Sequence, residues 1–467
     1  MTNKKQNSGM KEKMTAMWGK TDKLSRGDLV LLAVIALFCF ISYIHVDTLY
    51  TGNRSWIYYH GIGGFYDHVH EWTQDYGANY MPTTFGLFAI WNLPLKLLGL
   101  SEPPGIAVFN LYYAYWYKLL SLLFYGGSAW MLRKTAKVMG MGERKASVAA
   151  YAFMTTPFCF YSQFIFAQYD IITVFFVILG LYYYYRNEGK DMYLFSLWFG
   201  VAVTCKYFAV VPFVAMLVLR EKRVQHIFKY LLVMAFPFLA ELAVYYPSAN
   251  FRASVLGFNA LNYVSVGNFD TGVASISYTK LICVVIVLWA YFVYPKSKKE
   301  ETAWSLYLSS GICFGIFAFS KWHPQWLIFM TPFWVLGMFI SRHIEKFLWI
   351  DALTAVVFIH LTMSFYPLNA DYNLLSILVW NRIFDFTQYS VVGKDFLPSI
   401  DANTTNSILS AVFLAVFLFK HPKYALDDFA KGQESDRMHL IRLRFLLLFL
   451  TFTIPAFLAA ARNSGMF

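Results

Sequence analysis

The sequence predicts an all-α polytopic membrane protein, and three observations carry that reading. Only 14% of the 467 residues are charged and 58% are hydrophobic, whereas soluble domains carry about 25% charged residues. Apolar runs close to the roughly 20 residues that cross a bilayer recur along the chain. Basic residues collect in short loops between those runs, the asymmetry that sets membrane orientation. The mean hydropathy of +0.46 agrees. The net charge of +12 is therefore a topological signal, and no nucleic-acid partner is expected.

Residues 1–28 are polar and basic and are expected to form a cytoplasmic tail; residues 29–467 are expected to form one transmembrane domain. The first apolar run is long enough to span and lacks a small-residue cleavage pattern, so it is not expected to be a cleaved signal peptide. Roughly thirteen spans follow by run length and loop charge. They are Leu29–Val46, Phe109–Leu132, Ser147–Phe166, Ile171–Tyr185, Met192–Thr204, Tyr207–Leu219, Phe228–Tyr246, Ser277–Tyr294, Ala303–Ser320, Trp326–Ile340, Phe347–Phe365, Ser407–Phe419 and Ile441–Ala460. A further apolar piece, Thr83–Leu98, is expected to be a re-entrant or interfacial hairpin on the outer side. That choice keeps the basic loop Arg133–Lys145 inside, together with Arg220–Arg223, Lys296–Lys299, Ser341–Lys346 and the basic stretches near the C-terminus. The external loops then cover about 47–82, 247–276 and 366–406. Cations left away from the inner side, among them Arg54, Lys118, Lys206, Lys321 and Arg382, are candidates for function. Five cysteines, at 39, 159, 205, 283 and 313, all lie in apolar segments without a CxxC pair, and are expected to be packing residues.

The chemistry-bearing residues gather on the outer side. Asp47 directly follows the first span, at a depth where a carboxylate can be partly desolvated and act as a general base. Asp67, His68, His70, Glu71 and Asp75 follow among aromatic residues. Such aromatic faces beside carboxylates suit sugars, and they also suit an interfacial belt. For Glu71 and Asp75 ordinary loop solvation is the favoured reading. His68 and His70 are spaced so that one helix face does not present both, and no metal is expected. Pairs of short helices meet at Gln168–Asp170, at Cys205–Tyr207 and at Lys321–Trp326. Asp170 is a second membrane-edge acid. Lys206 interrupts an otherwise apolar run, and an ionisable residue at such depth is a functional candidate or a lysine snorkelling from a helix end. Lys321 and His323 form a cationic, hydrogen-bonding group beside Pro324, where a helix start also favours anions. Flanked by Trp322 and Trp326, this is a composition that can hold a lipid-linked phosphate, or one that merely fixes helix depth.

The order of an acid after the first span, "GGFYD", "YMPTTFGLFAIWNLP", "AQYD", "TCKYFAVVPF" and "KWHPQWLIFMTPF" resembles the GT-C superfamily of integral-membrane glycosyltransferases. Within it, the order is similar to mannosyltransferase-like members that use polyprenyl-phosphate sugars. The resemblance runs from Leu29 to about Ile340, with Met81 where many relatives carry a second proline. It implies a GT-C-like bundle and an inverting transfer of a monosaccharide from a polyprenyl-phosphate donor to a glycan, glycolipid or polymer acceptor. Asp47 would be the base, with Asp170 as the runner-up. Lys206, Lys321, His323 and Arg382 would stabilise the departing phosphate. Asp67, Tyr80, Gln168, Trp322 and Gln325 would contact substrate. No cofactor is implied. The expected setting is a bacterial cell membrane with the site facing outward.

Two other classes share much of this pattern. A secondary transporter would keep its ionisable residues near the midplane on broken helices, whereas here they gather at one boundary. A non-catalytic lipid-binding subunit of an envelope complex would share the lipid pocket without needing Asp47.

Overall fold

A computed structural model describes residues 24–73, 78–105, 110–258, 266–270, 272, 274–341, 344–365, 374–375, 377–383, 400–425, 438–463 and 465–466. Asp75, and most of the expected external loop 366–406, lie outside them. The described chain is all-α apart from one short antiparallel pair, β1 (Asn268–Asp270) with β2 (Ser275–Ser277).

The main helices are α1 (Arg26–Ser42), α2 (Val46–Arg54), α3 (Phe65–Thr73), α4 (Pro82–Leu97), α5 (Leu111–Val138), α6 (Glu143–Met154), α7 (Ile171–Arg186) and α8 (Asp191–Cys205). They continue with α9 (Val210–Arg220), α10 (Val224–Tyr245), α11 (Tyr278–Phe292), α12 (Lys298–Phe319), α13 (Thr331–Phe339), α14 (Ile344–Phe365), α15 (Ala402–Phe419) and α16 (Met438–Asn463). By length and composition, α10 and α12 are each able to cross a membrane. The pair formed by α1 and Val46–His60, bent by 72°, would make a third. Several other apolar helices have only 10–17 residues. They are short because polar residues or proline break the apolar runs. Tyr161–Ile165 winds as a π-helix before the turn at 166–170, and Pro324–Met330 winds as a 3-10 helix after the break at Ser320.

One expectation changes. Pro82–Leu97 forms one continuous helix of 16 residues, not a hairpin turning within that segment. Proline at its first position suits a helix start. Ser25 and Asp28 form a capping box that starts α1 at Arg26. Asp28 is 1% exposed and receives both Nε and Nη2 of Arg442 from α16, at 2.6 and 3.1 Å.

Packing is concentrated where α5, α7, α8 and α10 lie in sequence against one another, and where α9, α11, α12 and α15 meet. Gly52 lets α2 approach α5 closely: a Cβ there would lie 2.3 Å from the Tyr117 ring. A second polar knot is fully enclosed. Arg444 on α16 pairs with Asp351 on α14 and donates to Ala152 O at 3.0 Å and Thr155 Oγ1 at 2.6 Å. Trp334 Nε1 donates to the same Asp351 at 3.1 Å.

The bend between α1 and α2 has its own support. The last carbonyls of a helix lack partners within it, and here Lys118 from α5 supplies them. Its Nζ donates to Tyr43 O at 2.5 Å and also to Phe40 O. A cation at a helix C-terminus is further favoured by the helix dipole. Lys118→Met leaves those carbonyls unpaired in the interior, so a loss of about 1–3 kcal/mol is expected. Thermal unfolding of the purified variant in detergent, compared with wild type, measures it.

Candidate functional site

The site forms where the chain breaks out of regular helix. His45, in extended conformation, caps α2, and its Nδ1 lies 3.3 Å from the Asp47 amide. Its ring stacks on Phe166 at 4.0 Å, and its own amide donates to Phe166 O at 2.9 Å. Thr48 Oγ1 then donates to Ala167 O at 2.6 Å. Ala167 adopts the left-handed region at φ 56°, a costly conformation for a residue with a Cβ. These bonds hold it there, and the turn directs Gln168 back toward α2. Gln168 Nε2 donates to Asp47 Oδ2 at 3.4 Å.

Asp47 keeps 39% of its side-chain surface open to solvent. Burial works against its charge. The His45 contact and the Lys206 and His323 charges outweigh that, and hold its carboxyl below the usual carboxylate value. A carboxylate of this kind stays ionised and is open to solvent on one side.

Asp170 stands differently. Its side chain is fully enclosed, and Lys206 Nζ lies 3.3 Å from its Oδ1. Burial pushes this carboxyl up, and the Lys206 charge pulls it back only in part. Lys206 sits in the extended break after α8, 14% exposed at the side chain, with Nζ 4.0 Å from the Tyr80 ring centroid. Burial opposes its charge, but Asp170 and Tyr80 more than offset burial and raise it.

His323 precedes the 3-10 helix Pro324–Met330 and packs edge-on against Trp326 at 5.2 Å. Burial lowers it below its ordinary value, Asp47 raises it in part, and His45, Lys206 and Lys321 press it down further. At neutral pH it is therefore a neutral hydrogen-bonding imidazole, not the cation expected from sequence. Lys321 is exposed beside it.

The remaining expected residues divide. Tyr80 and Gln168 belong to this cluster. Gln325 is 3% exposed and its Oε1 has no hydrogen-bond partner among the described residues. Trp322 is 5% exposed and packs against Phe317 within the core, so it is a packing residue rather than an open substrate platform. Asp67 is committed to the segment after α10: Ser248 Oγ donates to it at 2.7 Å and Asn250 Nδ2 at 2.8 Å. Arg382 ends the 3-10 turn Val379–Arg382, and its side chain lies outside the described residues. His68 Nδ1 faces Glu71 at 3.3 Å, and among the described residues no group of three metal-ligating side chains converges.

Three residues at or behind the site were given no role by the sequence. His45 had only its position two residues before Asp47 to mark it. Arg54, noted only as a leftover cation, lies on the same α2 face as Asp47, seven residues on, among Tyr50, Tyr80 and Tyr169. Glu241 is an acid inside an otherwise apolar run, a signal of function in its own right. Comparison of the chain with protein-family models, with curated proteins and with solved structures gives no significant match in any of the three.

Proposed function

We propose that the protein is an inverting glycosyltransferase that moves a monosaccharide from a polyprenyl-phosphate donor to a glycan, glycolipid or polymer acceptor on the outer face of a bacterial cell membrane. The observation that carries this reading is the partly open, ionised Asp47 within the electrostatic reach of Lys206 and His323, all three standing at helix breaks. Asp47 accepts the proton of the acceptor hydroxyl while that oxygen attacks the anomeric carbon. The bond from that carbon to the phosphate oxygen breaks on the opposite face, so configuration inverts and polyprenyl phosphate leaves. Lys206 supplies positive charge to the leaving phosphate, His323 donates a hydrogen bond, and Lys321 and Arg382 add charge from the rim. Enclosed Asp170 holds Lys206 in place and carries no proton-transfer role. Neither a metal nor a cofactor has a part in this scheme.

The test is transfer by the purified full chain from polyprenyl-phosphate sugars to acceptor, across a broad set of sugar donors. Release of polyprenyl phosphate with an inverted glycosidic product supports the reading. No transfer from any donor overturns it in favour of a transporter or a lipid-binding subunit.

The reading also requires the thirteen-span topology, with loop 366–406 outside and Arg133–Lys145 inside. Asn403 is exposed at the start of α15, and Lys137 is 48% exposed at its side chain near the end of α5. A cysteine at 403 is expected to react with an impermeant reagent applied from outside, and one at 137 to be spared. The native cysteines add little background, since all but Cys283 are buried. The reverse pattern would reject both the topology and an outer-face site.

A further inference from the structure

Helix α10 faces outward along most of its length, with only 6% of its apolar window buried. One stripe turns inward. Gly200 on α8 brings the two helices together, since a Cβ there would meet Met234 O at 2.2 Å. Further along the same stripe Glu241 reaches across to the start of α4. Its Oε1 pairs with Thr83 Oγ1, and Thr83 Oγ1 lies 2.8 Å from Thr204 Oγ1. With Glu241 accepting from Thr83, Thr204 Oγ1 gives its proton to Thr83, and Val201 O, 2.8 Å from Thr204 Oγ1, is the alternative acceptor on α8.

Thr83 is the second residue of α4, whose own N-cap, Met81, offers no side-chain bond. The first amides of a helix need acceptors from elsewhere. The Thr83 amide also donates to Glu241, so Glu241 caps α4 from a different helix. The two threonines are neighbours of the site: Tyr80 lies just before Thr83, and Lys206 lies just after Thr204. Tyr80 is held again through its carbonyl, which accepts from Tyr66 Oη at 2.6 Å. Tyrosines 58, 66, 207 and 245 surround the Glu241 carboxyl.

We propose that Glu241 is a positioning residue that, through Thr83 and Thr204, sets the Tyr80 ring against the Lys206 ammonium in the phosphate-binding half of the site. It touches no substrate. The inference rests on the reading of Lys206 and Tyr80 as donor-binding groups. Its consequence for the ammonium can nevertheless be measured without turnover.

The experiment is amine-reactive labelling of the purified full-length protein, with modification at each lysine read by mass spectrometry. Lys206 is expected to react slowly in the wild type, because it is enclosed and paired. Glu241→Ala is expected to speed Lys206 labelling about five-fold, the scale of one net hydrogen bond lost. Exposed Lys137 serves as an internal standard and should not change. Glu241→Gln keeps an oxygen acceptor toward Thr83 and is expected to restore most of the protection. Thr83→Val, which removes the intermediate hydroxyl, should match Glu241→Ala. If Glu241→Ala fails to fold, Thr83→Val and Glu241→Gln decide alone. Unchanged Lys206 reactivity in the folded variants overturns the proposal. Where transfer is measurable, the KM for donor should rise about as much as the labelling rate while kcat moves less. In a Lys206→Met background Glu241→Ala should add nothing to that KM, and an additive effect would reject the link. Altered labelling in a protein that transfers no sugar from any donor would retain the positioning role and discard the enzymatic reading.

Discussion

Asp47→Asn is expected to lower sugar transfer by about 100-fold or more, the usual scale for losing a general base. The amide keeps the shape and the contact with Gln168 Nε2 can be replaced by the amide oxygen, but it cannot accept the hydroxyl proton. Donor binding should largely survive, because Lys206, His323 and Lys321 carry the phosphate contacts. Turnover and donor binding measured on the same preparation separate the two effects. Near-normal transfer would remove Asp47 from the chemistry. The pH profile gives a second check. The folded Asp47 carboxyl lies below the usual carboxylate value, so the base is available at neutral pH and is lost only as pH falls through that lowered value. The acid limb of kcat/KM should therefore lie below the range of an unperturbed carboxylate and be absent from Asp47→Asn.

Arg444→Met is expected to be the most destabilising single change, by about 3–5 kcal/mol. Both side chains of the Arg444–Asp351 pair have no exposed surface. Removing the guanidinium leaves a carboxylate in the interior with Trp334 Nε1 as its remaining donor among the described residues, and it also strips Thr155 and the Ala152 carbonyl of their donor. Denaturation of the detergent-solubilised variant, or its yield in the membrane if it does not survive extraction, reads the loss. Replacing Asp351 with Leu at the same time is expected to recover most of the stability, because no charge is then stranded. Failure of that recovery would show that the pair contributes through shape rather than charge.

The positions of the helix breaks were legible in the sequence because polar residues inside apolar runs are costly and conspicuous. Gln168, Asp170, Lys206 and His323 all stand at such interruptions, and the fold brings them to Asp47. The thirteen spans were not legible in the same way, since a break that shortens a helix to 11 residues, as in α9, leaves it well below the roughly 20 residues that cross a bilayer. Side-chain partners were not legible. Asp67 and Trp322 have the composition of sugar-binding residues, but Asp67 is taken up by Ser248, 181 positions away, and the burial of Trp322 against Phe317 depends on packing that composition does not show. Asn53 begins an N-glycosylation pattern, yet it is 0% exposed and accepts from Tyr117 Oη at 3.0 Å, so the folded chain offers no acceptor there. Arg442 and Arg444 fall in one basic stretch of the sequence. On a helix, two residues apart means about 200° around the axis, so one meets Asp28 and the other Asp351.

The Asp28–Arg442 pair joins residues 414 positions apart. At translation rates of about 5–20 residues per second, the arginine emerges about 20 to 80 s after its partner. Throughout that interval Asp28 has its capping contacts with Ser25 but not its Arg442 partner. The nascent bundle therefore stays unfastened at this edge until the last helix arrives. Any arrest of synthesis before residue 442 leaves the Asp28 carboxylate without the guanidinium that pairs with it in the finished chain.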